Sequence, residues 1–105
     1  MQHKPTNLTM CIPRVNNTIP RQYIFQVISS LKIGYIDKIF EYPSKTDASV
    51  KRVIVKFKSW VNNPTSNIIA QRFANNKDIK IVYDEPWYWI AYPGNSGMGM
   101  FVTEV

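Results

Sequence analysis

Lys51 to Trp60 runs Lys-Arg-Val-Ile-Val-Lys-Phe-Lys-Ser-Trp, and its alternation gathers Arg52, Lys56 and Lys58 on one face with Ile54 among them. Alternate side chains of a strand point to opposite faces of a sheet. Val53, Val55 and Phe57 therefore form a core face, and the opposite face is cationic. A row of this kind suits a polyanion: lysines meet phosphates as point charges, and an arginine can pair with phosphate or stack its planar guanidinium on a base. A second concentration is Trp87-Tyr88-Trp89-Ile90-Ala91-Tyr92, four aromatics in six residues. Aromatics this dense either cover an exposed sheet or form a contact surface. Groups suited to catalysis are sparse. Asp84 and Glu85 are adjacent carboxylates that point apart on an extended chain, His3 has no base partner near it in sequence, and nothing beside Cys11 marks an activated thiol. A single cysteine forms neither an internal disulfide nor a multi-cysteine zinc motif, so no cofactor, metal or catalytic role is expected.

The elements that must position these residues follow in order. Residues 1–7 are a polar lead-in. Leu8, Met10 and Ile12 alternate as a first strand, which Pro13 is expected to stop. Ile24, Val27, Ile28 and Leu31 stand at i, i+3, i+4 and i+7, one buried helical stripe, with Pro20 in the first turn, Ile19 as a staple and Gly34 as the left-handed stop. Tyr35 to Tyr42 is β-rich, but Ile36 and Ile39 are three apart. A bulge near Asp37-Lys38 would reconcile them, leaving Ile39 toward the core and Lys38, Phe40 and Tyr42 on the open face. The Lys51–Trp60 strand follows a Pro-Ser-Lys-Thr-Asp connection. Asn63 and Pro64 open a second helix with Ile69, Ala70, Phe73 and Ala74 on one side, ending near Asn75-Asn76. Ile79 to Tyr83 is a fourth strand, with Ile79 and Ile81 toward the core and Lys80 and Val82 on the open face. Asp84-Glu85-Pro86 breaks it, and residues 84–105 form an aromatic-rich extension.

The order β-α-β-β-α-β predicts an α+β, ferredoxin-like two-layer sandwich: a four-stranded antiparallel sheet with two helices on one face, over residues 8–83. At 105 residues with 45% hydrophobic side chains, the chain is one ordered domain. Its net charge is +6, unevenly placed: residues 1–60 hold ten Lys and Arg against three acids, and residues 61–105 hold three against four. A basic first half points to a polyanionic partner, against the plainer explanation of charge kept for solubility. No apolar run approaches the ~20 residues of a membrane span, and the start lacks a signal-peptide pattern. The expectation is an intracellular, non-secreted protein with no membrane role.

With Met10-Cys11-Ile12-Pro13-Arg14-Val15 and Val50-Lys51-Arg52-Val53-Ile54-Val55-Lys56-Phe57 placed on the two inner strands, the chain resembles an RNA-recognition-motif (RRM) domain over roughly residues 8 to 83. Cys11-Ile12-Pro13-Arg14-Val15 and the segment Ile79 to Trp89 are similar to uncharacterised RRM-like proteins of large DNA viruses. That resemblance implies a fold and a viral source, hence host cytoplasm or nucleus, and no established activity. The RRM resemblance implies base stacking on sheet aromatics, but here the stacking positions hold Cys11, Arg52 and Ile54, and the usual glycine is Lys51. Three substitutes are open: Arg52 as a stacking plane, Phe40 or Tyr42 from the edge strand, and Trp87 or Trp89 returning across the sheet. Arg14, Lys38, Lys51, Lys56, Lys58 and Lys80 would track the backbone. The expected function is non-enzymatic binding of single-stranded nucleic acid, RNA favoured. The alternative is a protein-interaction adaptor in which Trp87, Tyr88, Trp89 and Tyr92 hold a partner or cover the sheet.

Overall fold

A computed structural model describes residues 9–94. The expected lead-in and residues 95–105 of the expected extension lie outside the described residues. The elements are β1 (Thr9–Asn16), α1 (Arg21–Ser30), β2 (Gly34–Pro43), β3 (Val50–Trp60), α2 (Pro64–Ala74), β4 (Ile79–Asp84) and β5 (Trp87–Pro93). They form an α+β fold: a five-stranded antiparallel sheet in the order β2-β3-β1-β5-β4, and two helices.

The expected four strands are thus corrected to five. Asp84-Glu85-Pro86 does not release the chain. A two-residue turn at Glu85–Pro86, with a cis peptide bond, folds Trp87–Pro93 back along β4. The strand then inserts between β4 and β1, meeting β1 at Met10↔Pro93 and Cys11↔Tyr92. The alternation of Tyr88, Ile90 and Tyr92 with Trp89 and Ala91 explains why: the segment has one face for the core and one for the outside, as a strand requires. Because each neighbour is antiparallel, β1 and β2 run parallel with β3 in the slot between them, as expected of a split β-α-β unit. β4 runs antiparallel to β3, so the second expected unit, with only β1 between β3 and β4, is not formed.

One core joins the helices to the sheet. Ile24 and Ile28 of α1 and Ile69 and Phe73 of α2 pack with Met10, Ile12, Val53, Val55, Ile39, Ile81, Trp89 and Ala91. Each fully buried aliphatic side chain contributes roughly 1.5–3 kcal/mol. Both helices contribute to this one cluster, which holds only residues of the inward parity, and so cover the same sheet face. Val27 and Leu31, predicted in the α1 stripe, are partly buried against it.

Local details refine the expectations. Pro13 does not end β1: the strand continues to Asn16 through a register shift between Ile12 and Val15, where a bulge accommodates a residue lacking an N–H. Ile36 and Ile39 are reconciled by a shift that leaves Asp37 unpaired, and a second shift leaves Lys58 unpaired on β3. The left-handed residue after α1 is Lys32 (φ 57°), not Gly34. Gly34 instead lies so close to Ser59 O that a Cβ there would collide with backbone. The α2 start is as predicted: Asn63 Oδ1 accepts from Ser66 N at 2.8 Å, and Ser66 Oγ accepts from Asn63 N at 3.0 Å, a reciprocal capping box. Asn63 Nδ2 also donates to Lys32 O at 2.8 Å, fastening the α2 cap to the turn after α1.

Candidate nucleic-acid interface

The sheet face opposite the helices is built from the outward parity of all five strands. Across β2 and β3, Lys38 faces Lys56, Phe40 faces Ile54 and Tyr42 faces Arg52. β1 sets Thr9 beside Lys56 and Cys11 beside Ile54. β5 sets Tyr92 beside Cys11, and on the far flank Tyr88 faces Val82 and Ile90 faces Lys80. Directly opposed residues of an antiparallel pair share a face and interact. The structure therefore brings Lys38, Phe40, Tyr42, Arg52, Ile54, Lys56 and Lys80 onto one surface. Lys58, exposed, sits at the β3 bulge on its border.

The charge on this face is one-sided. Apart from bulged Asp37 at the β2 edge, its described positions carry no carboxylate before Asp84 at the end of β4. Lys38 and Lys56, both exposed, stand directly opposite one another, an arrangement that is destabilising in a free protein. Two cations lie over rings: Arg52 Cζ is 5.2 Å from the centroid of Tyr42, and Lys80 Nζ is 4.3 Å from that of Tyr88. These are cation–π distances.

The other expected site residues are placed differently. Ile54 is on the face but only 5% exposed, and its neighbour Cys11 is 1% exposed. Burial pushes the Cys11 thiol up to about 11, with the nearby Arg52 charge opposing it only in part. At neutral pH it is an uncharged thiol, poorly suited to nucleophilic work. Lys51 does not point outward. It shares the parity of Val53, is buried, donates to Ile19 O at 2.6 Å and lies 3.4 Å from Glu41, which also meets Arg21 at 3.6 Å. Arg14 is engaged at 3.0 Å by Asp47 in the β2–β3 connection. Hydrogen bonds from the Ser49 side chain and backbone, and then Arg14, hold the Asp47 carboxyl below its usual range.

The aromatic segment divides. Trp89 is 2% exposed, stacked on Tyr83 at 4.4 Å, so it belongs to the core rather than to a contact surface. Tyr83 in turn meets Tyr23 edge-on, and its carbonyl accepts from the Tyr23 hydroxyl at 3.3 Å. Trp87 is 63% exposed at the hairpin end, where the register shift after Val82 releases it from the inward parity. Tyr88, 48% exposed, and Tyr92 join the open face. These tyrosines are expected in an extension beyond the sheet and lie instead on a paired strand. Their alternation is plain in the sequence, but the hairpin partner of that alternation is not.

Among the described residues no group of three or more His, Cys, Asp or Glu could hold a metal ion, and no helix is long and apolar enough to cross a membrane. His3 lies outside the described residues. Searches for similar proteins find no matching family model, curated protein or solved structure.

Proposed function

We propose that this domain binds single-stranded nucleic acid, RNA in preference to DNA, on the open sheet face and without catalysis. The observation that carries the proposal is the directly opposed pair Lys38 and Lys56 on a face with cations on both flanks. Two lysines held opposite each other repel; a phosphate chain between them converts that repulsion to attraction and releases counterions. Single strands are favoured over duplex because their unstacked bases can reach rings and guanidinium planes. The preference for RNA, and the kinship of the β1-α1-β2-β3 half to an RRM, rest on the resemblance in sequence and element order. The adaptor reading retains one supporting observation, the exposed Trp87 at the β4–β5 turn, since exposed tryptophans are frequent anchors in protein interfaces.

The test is fluorescence anisotropy with labelled single-stranded RNA and DNA across a salt series. If Lys38, Arg52, Lys56, Lys58 and Lys80 each neutralise a phosphate, log affinity falls with log salt at a slope of about −3.5, from about −0.7 per contact. Lys38→Ala with Lys56→Ala flattens the slope by about 1.4 and weakens binding on the order of 50-fold at 50 mM salt. Removing two repelling charges does not threaten the fold, so the loss reports on the ligand. Absence of wild-type binding at low salt removes the nucleic-acid proposal and leaves Trp87 as the surface to pursue.

A further inference from the structure

The middle of the open face offers no room for a base. Cys11 and Ile54, side by side on β1 and β3, are 1% and 5% exposed. The flanks instead carry rings that solvent reaches: Phe40 and Tyr88 are exposed and Tyr42 is half-buried. On one flank, Tyr42 lies under Arg52 with Phe40 two residues away on the same face. On the other, Tyr88 lies under Lys80 beside Val82, and both Tyr88 and Val82 are about half exposed. The two flanks share one composition: a ring, a cation over it and an apolar neighbour. From β2 to β5 there are three strand steps of ~4.8 Å, so the flanks are about 14 Å apart measured across the strands.

We infer that β5 supplies a second base-stacking station, Tyr88 with Lys80, so that a single strand crosses the sheet perpendicular to its β-strands. It is held by bases at both flanks and by phosphate contacts between them. This rests on the nucleic-acid reading above and adds to it a site and a path. Each station combines what a nucleotide needs: a ring whose face the base takes when the cation swings off it, and that cation, on a flexible stem, to meet the adjoining phosphate. The charge on the Tyr88 flank fits, because Lys80 is the cation of the open face there and the carboxylates begin only at Asp84.

The test uses the full chain with two labelled probes of equal length and charge: a 12-nucleotide uridine RNA and a 12-unit abasic ribose-phosphate strand. Tyr88→Ala is expected to weaken the RNA roughly ten- to hundredfold, the usual range for one stacked base. It leaves the abasic strand and the salt slope unchanged. Tyr88→Phe, which keeps the ring, restores RNA binding. Equal binding of the RNA by wild type and Tyr88→Ala overturns the station while leaving the basic face in place. Equal loss on both probes also overturns it, because a defect blind to bases is a defect of folding or charge. Failure of the wild type to bind either probe overturns the station and the nucleic-acid reading together.

Discussion

Cys11 shows how one side chain can define a surface by what it excludes. A buried, neutral thiol in the middle of the sheet face leaves no charge and no ring where the RRM resemblance implies stacking. Its titration has a consequence for stability. The folded thiol is pushed from 9.0 to about 11, so above pH 9 the unfolded chain loses its proton before the folded one does. Stability is unaffected by this group below pH 9 and falls between pH 9 and 11, by on the order of 2–3 kcal/mol. Urea unfolding of wild type and Cys11→Ala at pH 7.5, 9 and 10.5 isolates the effect: the gap between their midpoints shifts in favour of the variant only in the alkaline range. Lys51 carries a different lesson. Its parity with Val53, Val55 and Phe57 already assigned it to the core side, but its charge suggested solvent. The alternation was the stronger signal because Glu41 and the Ile19 carbonyl satisfy the buried ammonium.

At the scale of elements, the α2 cap is a small unit with a large reach. Asn63 receives Ser66 N, and also donates to Lys32 O in the turn after α1. Asn63→Ala is expected to destabilise the domain by about 1–2 kcal/mol, the upper part of the range for caps because two hydrogen bonds are lost. A lower urea midpoint at unchanged slope would register it; a change below 0.5 kcal/mol would mean the cap contributes little. Both helices, four of the strands and the Asp37 bulge were legible from periodicity and from Asn63-Pro64. The fifth strand was not. Its own alternation was plain, but a two-residue turn carrying Glu85-Pro86 lacks the Asn-Gly or Asp-Gly sequence that marks most tight hairpins. Where β5 inserts depends on partners some eighty residues away, which no local pattern encodes. The shared face of Lys38, Arg52, Lys56 and Lys80 is legible in the alternation of β2, β3 and β4, the inward turn of Lys51 and the Arg14–Asp47 pair less so, and Tyr88 and Tyr92 join that face only with β5 in the sheet.

The whole molecule carries +6 with much of that charge on one side of one sheet. Self-repulsion of this kind destabilises the compact state and is screened by salt. Raising NaCl from 20 to 200 mM is therefore expected to raise the unfolding midpoint of the free protein, by up to about 1 kcal/mol in stability. Substituting Lys38 with Gln should blunt the rise. Thermal unfolding across the same salt range measures it, and an equal rise in the variant would place the repulsion elsewhere. Salt thus acts in opposite directions on the two states: it steadies the free domain and weakens its hold on a polyanion.

The insertion of β5 also sets an order of events in time. β1 is synthesised before the other described elements, and its two sheet neighbours are β3 and β5. Roughly seventy residues separate the end of β1 from the start of β5. At about 5–20 residues per second the ribosome needs several seconds to make them. Through that interval β1 has its β3 side to fill and its other side exposed, a row of backbone donors and acceptors able to pair with any extended chain nearby. β4 gains its partner only when the same strand arrives. The last strand described is thus the one that closes the sheet, and a nascent chain stopped short of Trp87 holds two unfinished edges.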